Sequence, residues 1–172
     1  MSLTAKMDLN LSATLLTALD LVTATAPLSQ TLTPLDLTSG TGANQADTIF
    51  SDTRSLAATA TENIDFYTWT SALGATQTNA RIKLLLIRNK NTATGDVLRI
   101  GGLGNSGAWD SPFNSDHDAT VDIQPGGFLI LSAPLATGYT VTSNSVNHTL
   151  KFANTSASNT LAYDIVIIGA SA

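Results

Sequence analysis

The chain has 172 residues (17.8 kDa) and is 43% hydrophobic, so it is long enough to bury one core and too apolar to be disordered. Only 12% of it is charged and the net charge is −5, which excludes the basic stripe that a nucleic-acid binder needs. It holds no cysteine, so disulfides, thiolate metal sites and thiol nucleophiles are excluded as well.

Most of the polarity comes from Thr, Ser and Asn. The acids are almost all Asp, with Glu62 the single glutamate. Asp caps and turns, whereas Glu favours helices, so this balance fits a strand-and-turn protein. The N-terminal residues carry Lys6, Asp8 and Asn10 and no long apolar stretch, so no secretory leader is expected. No run reaches the roughly 18 apolar residues of a membrane helix, and a soluble protein made in a cytoplasm, with no membrane partner, is expected.

Met7, Leu9 and Leu11 alternate with Asp8 and Asn10, the period of a half-buried strand. From Ser12 to Ala26 two periods compete. Leu15, Leu16, Leu19 and Val22 fit a helical stripe, but Leu19, Leu21 and Thr23 alternate among threonines, and strand is the expectation. Pro27 and Pro34 place Leu28 to Leu37 at a sheet edge or in an extended arm. Residues 1–37 are therefore read as an N-terminal arm or edge strands, and residues 38–172 as a β-sandwich domain.

Gly40 and Gly42 form a turn. Ala46–Ala60 and Ile64–Thr70 read as strands joined near Glu62 and Asn63, with Trp69 in the core. After a loop at Gly74–Asn79, the segment RIKLLLIRNK (Arg81–Lys90) is the strongest strand. Its alternation places Arg81 and Lys83 on one face and Ile82, Leu84 and Leu86 on the other, until Leu85 and Ile87 take over the charged face. A strand apolar on both sides at its middle is covered on both sides, by its own fold or by a partner subunit. Asn91–Asp96 reads as a hairpin connection with Gly95 left-handed, returning through Val97–Ile100.

Gly102-Leu-Gly104-Asn-Ser-Gly107 matches G-x-G-x-x-G, but Trp109, Asp110, Ser111 and Pro112 follow where a dinucleotide site needs a helix start. No cofactor is expected. Asn114, Asp116, His117 and Asp118 cluster oxygen and imidazole groups without the EF-hand spacing, and read as a solvated turn. His117 and His148 have no motif neighbours, and there is no G-x-S-x-G, so neither a catalytic residue nor a metal site is expected. Trp109, Asp110 and Asn114, in a Gly/Asn/Asp loop, are the candidates for an exposed contact.

The last third is rich in strands. Val121 and Ile123 lead into the turn Gln124-Pro-Gly-Gly127, followed by Phe128–Leu131, Tyr139–Val141, Thr149–Ala153 and Leu161–Ile168. Strands every eight to twelve residues between turn signals predict an all-β, antiparallel β-sandwich or jelly roll.

The run Gly40 to Arg54 (GTGANQAD…FSDTR), Pro-Gly-Gly at Pro125–Gly127, and the Tyr-Asp-Ile-Val ending at Tyr163–Val166 resemble small β-rich virion proteins of tailed bacteriophages. The resemblance spans Thr38–Gly169 and is nearest to head decoration, or cement, proteins. It implies a non-enzymatic structural protein on the capsid exterior, bound to the major capsid protein and to copies of itself as a homotrimer, stabilising the assembled head. Related β-modules serve as head or tail fibres. The alternative is therefore an adhesin whose glycine loop, with Trp109 and the Tyr67–Trp69 aromatics, contacts host glycan.

Overall fold

The computed structural model describes residues 2–18, 22–32, 35–71, 73–142 and 145–172, so Leu19, Asp20, Leu21, Thr33 and Pro34 lie outside the described residues. The described chain is all-β, with one 3-10 turn at Ser111–Phe113 and no α-helix. In order the strands are β1 (Ala5–Met7), β2 (Asn10–Ala18), β3 (Thr23–Thr31), β4 (Leu35–Ser39), β5 (Gln45–Ala46), β6 (Thr48–Leu56), β7 (Thr61–Asp65) and β8 (Thr68–Thr70). There follow β9 (Thr76–Thr78), β10 (Arg81–Asn89), β11 (Leu98–Gly101), β12 (Thr120–Ile123), β13 (Phe128–Ser132), β14 (Tyr139–Thr140), β15 (Thr149–Asn154) and β16 (Leu161–Ala170).

Two antiparallel sheets face each other. One has the order β13-β10-β16-β6, with β14 also on β10, and the other β12-β11-β15-β7. The main core fills the space between them. Ile82, Leu85, Ile87, Tyr163, Ile165 and Ile167 come from the first sheet, and Ile64, Leu98, Ile100, Ile123, Leu150 and Phe152 from the second. Phe152 and Tyr163 stack across the gap with centroids 4.9 Å apart and planes 10° apart. The alternation of β15 and β16 is what builds this arrangement, because every second residue of each strand is buried.

β10 lies between β13 and β16; its inner face is buried against the second sheet and its outer face is covered at Leu84, while Leu86 on the outer face is half-buried. The outer cover comes from the chain itself. β1, β4 and β5 form a small sheet whose Leu35, Leu37 and Ala46 pack with Leu84 and Ile168 into a second, smaller core. The facing of β10 differs from simple alternation. A register shift between Ile82 and Leu84 turns Ile82, Leu85 and Ile87 inward and Leu84 outward, and leaves Lys83 at the irregularity. Lys83 is 0% exposed. Its ammonium donates to the Gly42 carbonyl (3.3 Å) and to the Leu135 carbonyl, tying two loops to the bulge. Loss of hydration, with Arg81 nearby, holds its pKa below the ordinary lysine value.

Two connections also differ from expectation. The turn between β6 and β7 falls at residues 57–60, with Thr59 left-handed (φ 60°), so Glu62 and Asn63 are strand residues rather than a joint. Gly95 is left-handed as expected, but β10 and β11 belong to different sheets, so Asn91–Asp96 crosses the sandwich instead of closing a hairpin.

Buried asparagines take the place of charge at these crossings. Asn89 donates to Asp96 O (2.7 Å) and Ile123 O (3.1 Å), and Asn154 to Leu56 O, Ala57 O and Asn159 O. Asn79, also buried, accepts from the Thr48 hydroxyl (2.9 Å) and donates to Phe66 O (3.3 Å). It occupies the space a side chain at Gly169 would need: a Cβ there would stand 2.1 Å from Asn79 Oδ1 and 2.6 Å from Arg81 O. Gly169→Ala is accordingly expected to destabilise the fold by about 1–3 kcal/mol, read as a lower denaturation midpoint at unchanged slope. An unchanged midpoint would show that the Asn79 knot is not rigid.

Candidate interaction surface

β2 and β3 pair only with each other, as a two-stranded hairpin of nine rungs from Asn10↔Thr31 to Ala18↔Thr23. The hairpin leaves the domain between Leu9 and Leu32, where the Leu32 N–H donates to Leu9 O at 3.1 Å. The two strands flanking it, β1 and β4, lie side by side on the body of the domain. Residues 1–37, read as an arm or edge strands, divide between two sheets. β1 and β4 belong to the covering sheet, β2 and β3 project, and residue 37 falls inside β4.

The register sorts the hairpin into two unlike faces. Leu11, Ala13 and Leu15 share one face with their partners Gln30, Leu28 and Ala26, and Ala24 continues it. Asn10, Ser12, Thr14, Ser29, Thr25 and Thr23 dominate the other. Neither strand contains a charged residue. The apolar face is open, with Leu11 59%, Leu15 72% and Leu28 53% exposed, and Leu16 on the hydroxyl face 63% exposed. Scattered exposed leucines are ordinary on a protein surface, but a contiguous apolar strip on an otherwise uncovered hairpin marks a contact site. At its foot lies a groove of about 670 Å³ lined by Met7, Leu9, Leu32, Leu35 and Pro134.

The loop that reads as an exposed contact is built differently. Trp109 is 1% exposed, the largest fully buried side chain. Its ring sits 4.9 Å from Phe66 and 6.0 Å from Tyr139, and its Nε1–H donates to Thr140 O at 3.0 Å. This corrects the expectation of an exposed indole: the loop folds back over the sandwich and uses Trp109 as a plug. Asp110 is buried too, its Oδ2 2.9 Å from His117 Nδ1 and its N–H donating to Asn147 Oδ1. Only Asn114 stands at the surface, in the left-handed position that ends the 3-10 turn (φ 54°). Trp69, by contrast, is buried as its strand pattern predicts, with its Nε1–H on Gln77 Oε1.

The polar clusters elsewhere are occupied with one another. The Ser111 hydroxyl donates to Thr140 O (2.6 Å) and accepts from Asn147 Nδ2 (3.1 Å). Glu62, the single glutamate, accepts from the Tyr163 hydroxyl (2.6 Å) and pairs with Arg54, which also pairs with Asp52. Burial, then the hydrogen bond to Glu62, push the Tyr163 phenol above its ordinary pKa, so it stays a neutral donor. Asp116 caps the Asp118 N–H at 2.9 Å, a local Asx turn. Among the described residues no three His, Asp or Glu side chains converge as a metal site would require.

Three aspartates, Asp96 buried and Asp122 and Asp164 nearer the surface, tie neighbouring segments of the sandwich together. Asp96 accepts from Asn159 Nδ2 (2.9 Å) and Asn91 Nδ2 (2.8 Å), Asp122 faces Arg99 with two bonds (2.9 and 2.7 Å), and Asp164 accepts from Thr53 (2.6 Å) beside Lys90. These donors lower all three pKa values. A carboxyl depressed in the folded state stabilises the fold above its unfolded pKa, about 4, and loses that contribution as pH falls through its folded value. Melting temperature is expected to be level from pH 7 to about 5 and to fall below about pH 4. A decline that begins between pH 7 and 6 would contradict this account.

No family model matches the chain, and no curated protein is similar to it. No helix among the described residues is long and apolar enough to cross a membrane.

Proposed function

We propose that this is a structural virion protein of a tailed phage, a decoration or cement protein that binds the outside of the assembled head and stabilises it without doing chemistry. The observation that carries this reading is the β2–β3 hairpin, whose two strands hold no charged residue and leave one apolar face open, projecting from a sandwich whose polar clusters are spent on their own structure. An isolated two-stranded hairpin is marginal in water, so its final environment is another protein surface. The charge-poor Thr/Ser/Asn exterior suits close contact in a lattice better than a lysine-rich one. Sequence resemblance to phage head proteins supports the same reading, as does the acidic net charge, which leaves the packaged nucleic acid an unsuitable partner.

On this reading the partners are the major capsid protein and further copies of the chain, the latter as the homotrimer the resemblance implies. Binding only the assembled state, the protein stabilises that state by mass action. The glycan-binding alternative loses its main contact with the burial of Trp109.

Cosedimentation tests the proposal. Purified protein is mixed with expanded heads of the encoding phage that lack it. Saturable pelleting, together with greater resistance of the heads to heat or chelator, is expected. Protein that stays in the supernatant at all ratios, yet binds host cells or their polysaccharide, would replace the decoration reading with the fibre one.

A further inference from the structure

We infer that the apolar face of the β2–β3 hairpin is a self-complementary contact, and that its occupant is the same hairpin of a second copy of this chain. The inference rests on the hairpin singled out above and names its partner.

Charge argues first. Each copy carries −5, from 13 acidic and 8 basic residues, so two copies repel wherever acidic surface meets acidic surface. The two strands hold no charged residue, the one acid between them being Asp20 in their connection, so a two-fold contact between the strand faces sets no residue against a like charge. A contact that presents the same patch from both sides needs this property, because every charged group near the axis would face its own copy.

Shape argues second. The central rungs each pair one large with one small side chain, Ala13 with Leu28 and Leu15 with Ala26, and the large residue changes strand from one rung to its neighbour on the same face. The result is a zigzag of leucines with alanine recesses beside it. A second copy turned about a two-fold axis sets its leucines over those recesses, the large-on-small interlocking by which facing sheets pack. Gln30 lies beside Leu11 at the base, where it can hydrogen-bond across the pair.

Size argues third. Nine residues at about 3.3 Å each make a face roughly 30 Å long. With Leu9 and Leu32 continuing it, the face offers roughly 500 Å² per copy, or about 1,000 Å² when two copies meet, near the lower bound of a specific interface. Pro27 lacks an N–H, which disfavours edge-to-edge strand addition along β3. Two such hairpins make a four-stranded miniature sandwich, a two-fold link distinct from any three-fold assembly and able to join one oligomer to the next.

The chain's lack of cysteine makes the test clean. Ala13→Cys and Ala26→Cys, each near the middle of the face, are oxidised in dilute solution beside Ser55→Cys, an exposed control on the sandwich. The expected result is a reducible covalent dimer at twice 17.8 kDa from at least one hairpin variant and none from the control. In parallel, Leu15→Asp with Leu28→Asp is expected to lower the light-scattering mass while the near-ultraviolet circular dichroism stays that of the parent. Hairpin variants that cross-link no faster than Ser55→Cys, with a parent mass that the double aspartate leaves unchanged, would overturn the inference. If hairpin variants fail to cross-link but removal of the hairpin still abolishes head binding, its occupant is the shell and the decoration reading stands. If they cross-link and the protein ignores heads, the self-contact stands and the decoration reading falls.

Discussion

Replacing residues 10–31 by a two-residue Asn-Gly turn is expected to leave a folded, soluble domain that, on the proposed reading, loses its binding to heads. The junction is already closed, because Leu9 and Leu32 are joined by a 3.1 Å backbone hydrogen bond, and β2 and β3 pair with no other strand. The near-ultraviolet circular dichroism and melting temperature should therefore match the full chain. Head affinity should fall by about 10² to 10⁴, the scale of losing a linkage between neighbouring bound copies. The cut must spare β1. Deleting residues 1–26 would also strip Leu3, Ala5 and Met7 from the cover over Leu84 and Ile168, and lost binding would then be confounded with an exposed core. An excised protein that still saturates heads would remove the hairpin from the account. One that unfolds would show that the hairpin, despite its exposure, stabilises the body of the domain.

Trp109→Ala is expected to be the most damaging single substitution. It empties a fully buried indole site between Phe66 and Tyr139 and leaves Thr140 O without its Nε1–H donor. Truncations of this kind cost about 3–5 kcal/mol. For a domain of this size that corresponds to a melting temperature lower by roughly 10 °C or more. Trp109→Phe, which keeps the ring and loses the donor, should recover more than half of the loss. An exposed contact residue behaves in the opposite way: Trp109→Ala would leave melting unchanged and abolish binding to a glycan or partner.

The sandwich was legible because each buried strand carries its own pattern. Leu150 and Phe152 alternate around Lys151, and Leu161, Tyr163, Ile165 and Ile167 alternate along β16; both sets lie where period two places them. The Pro-Gly-Gly turn likewise stops β12 and starts β13 as its chemistry requires, with Gly126 left-handed at φ 74°.

What escaped depends on contacts distant in sequence. Trp109 sits in a run of turn residues, and its burial is decided by Phe66 and Tyr139, which lie 43 and 30 positions away, and by Thr140 O. Nothing local separates a plug from an exposed platform. The bulge at Lys83 is equally silent, since its cause is a ladder shared with Ile168 and Gly169, and its lysine is tolerated only because the Gly42 and Leu135 carbonyls come to meet it. In the first block, Leu15 and Leu16 fall on opposite faces of an exposed hairpin, which blurs its period-two signal towards that of a helix. Its signal was nevertheless present. Leu11, Ala13 and Leu15, then Ala24, Ala26 and Leu28, are two alternating runs, neither of which contains a charged residue.

Copy number in purified virions tests the central claim most directly. On the proposed reading a tailed phage encodes the chain; its virions are banded, and the protein is quantified by mass spectrometry with isotope-labelled peptides against the major capsid protein. A decoration protein should be present in a fixed ratio to the capsid protein, of order one copy for every one to three, and should remain with heads after tails are removed. A protein missing from the particle, or present at a few copies that leave with the tail, would contradict the account.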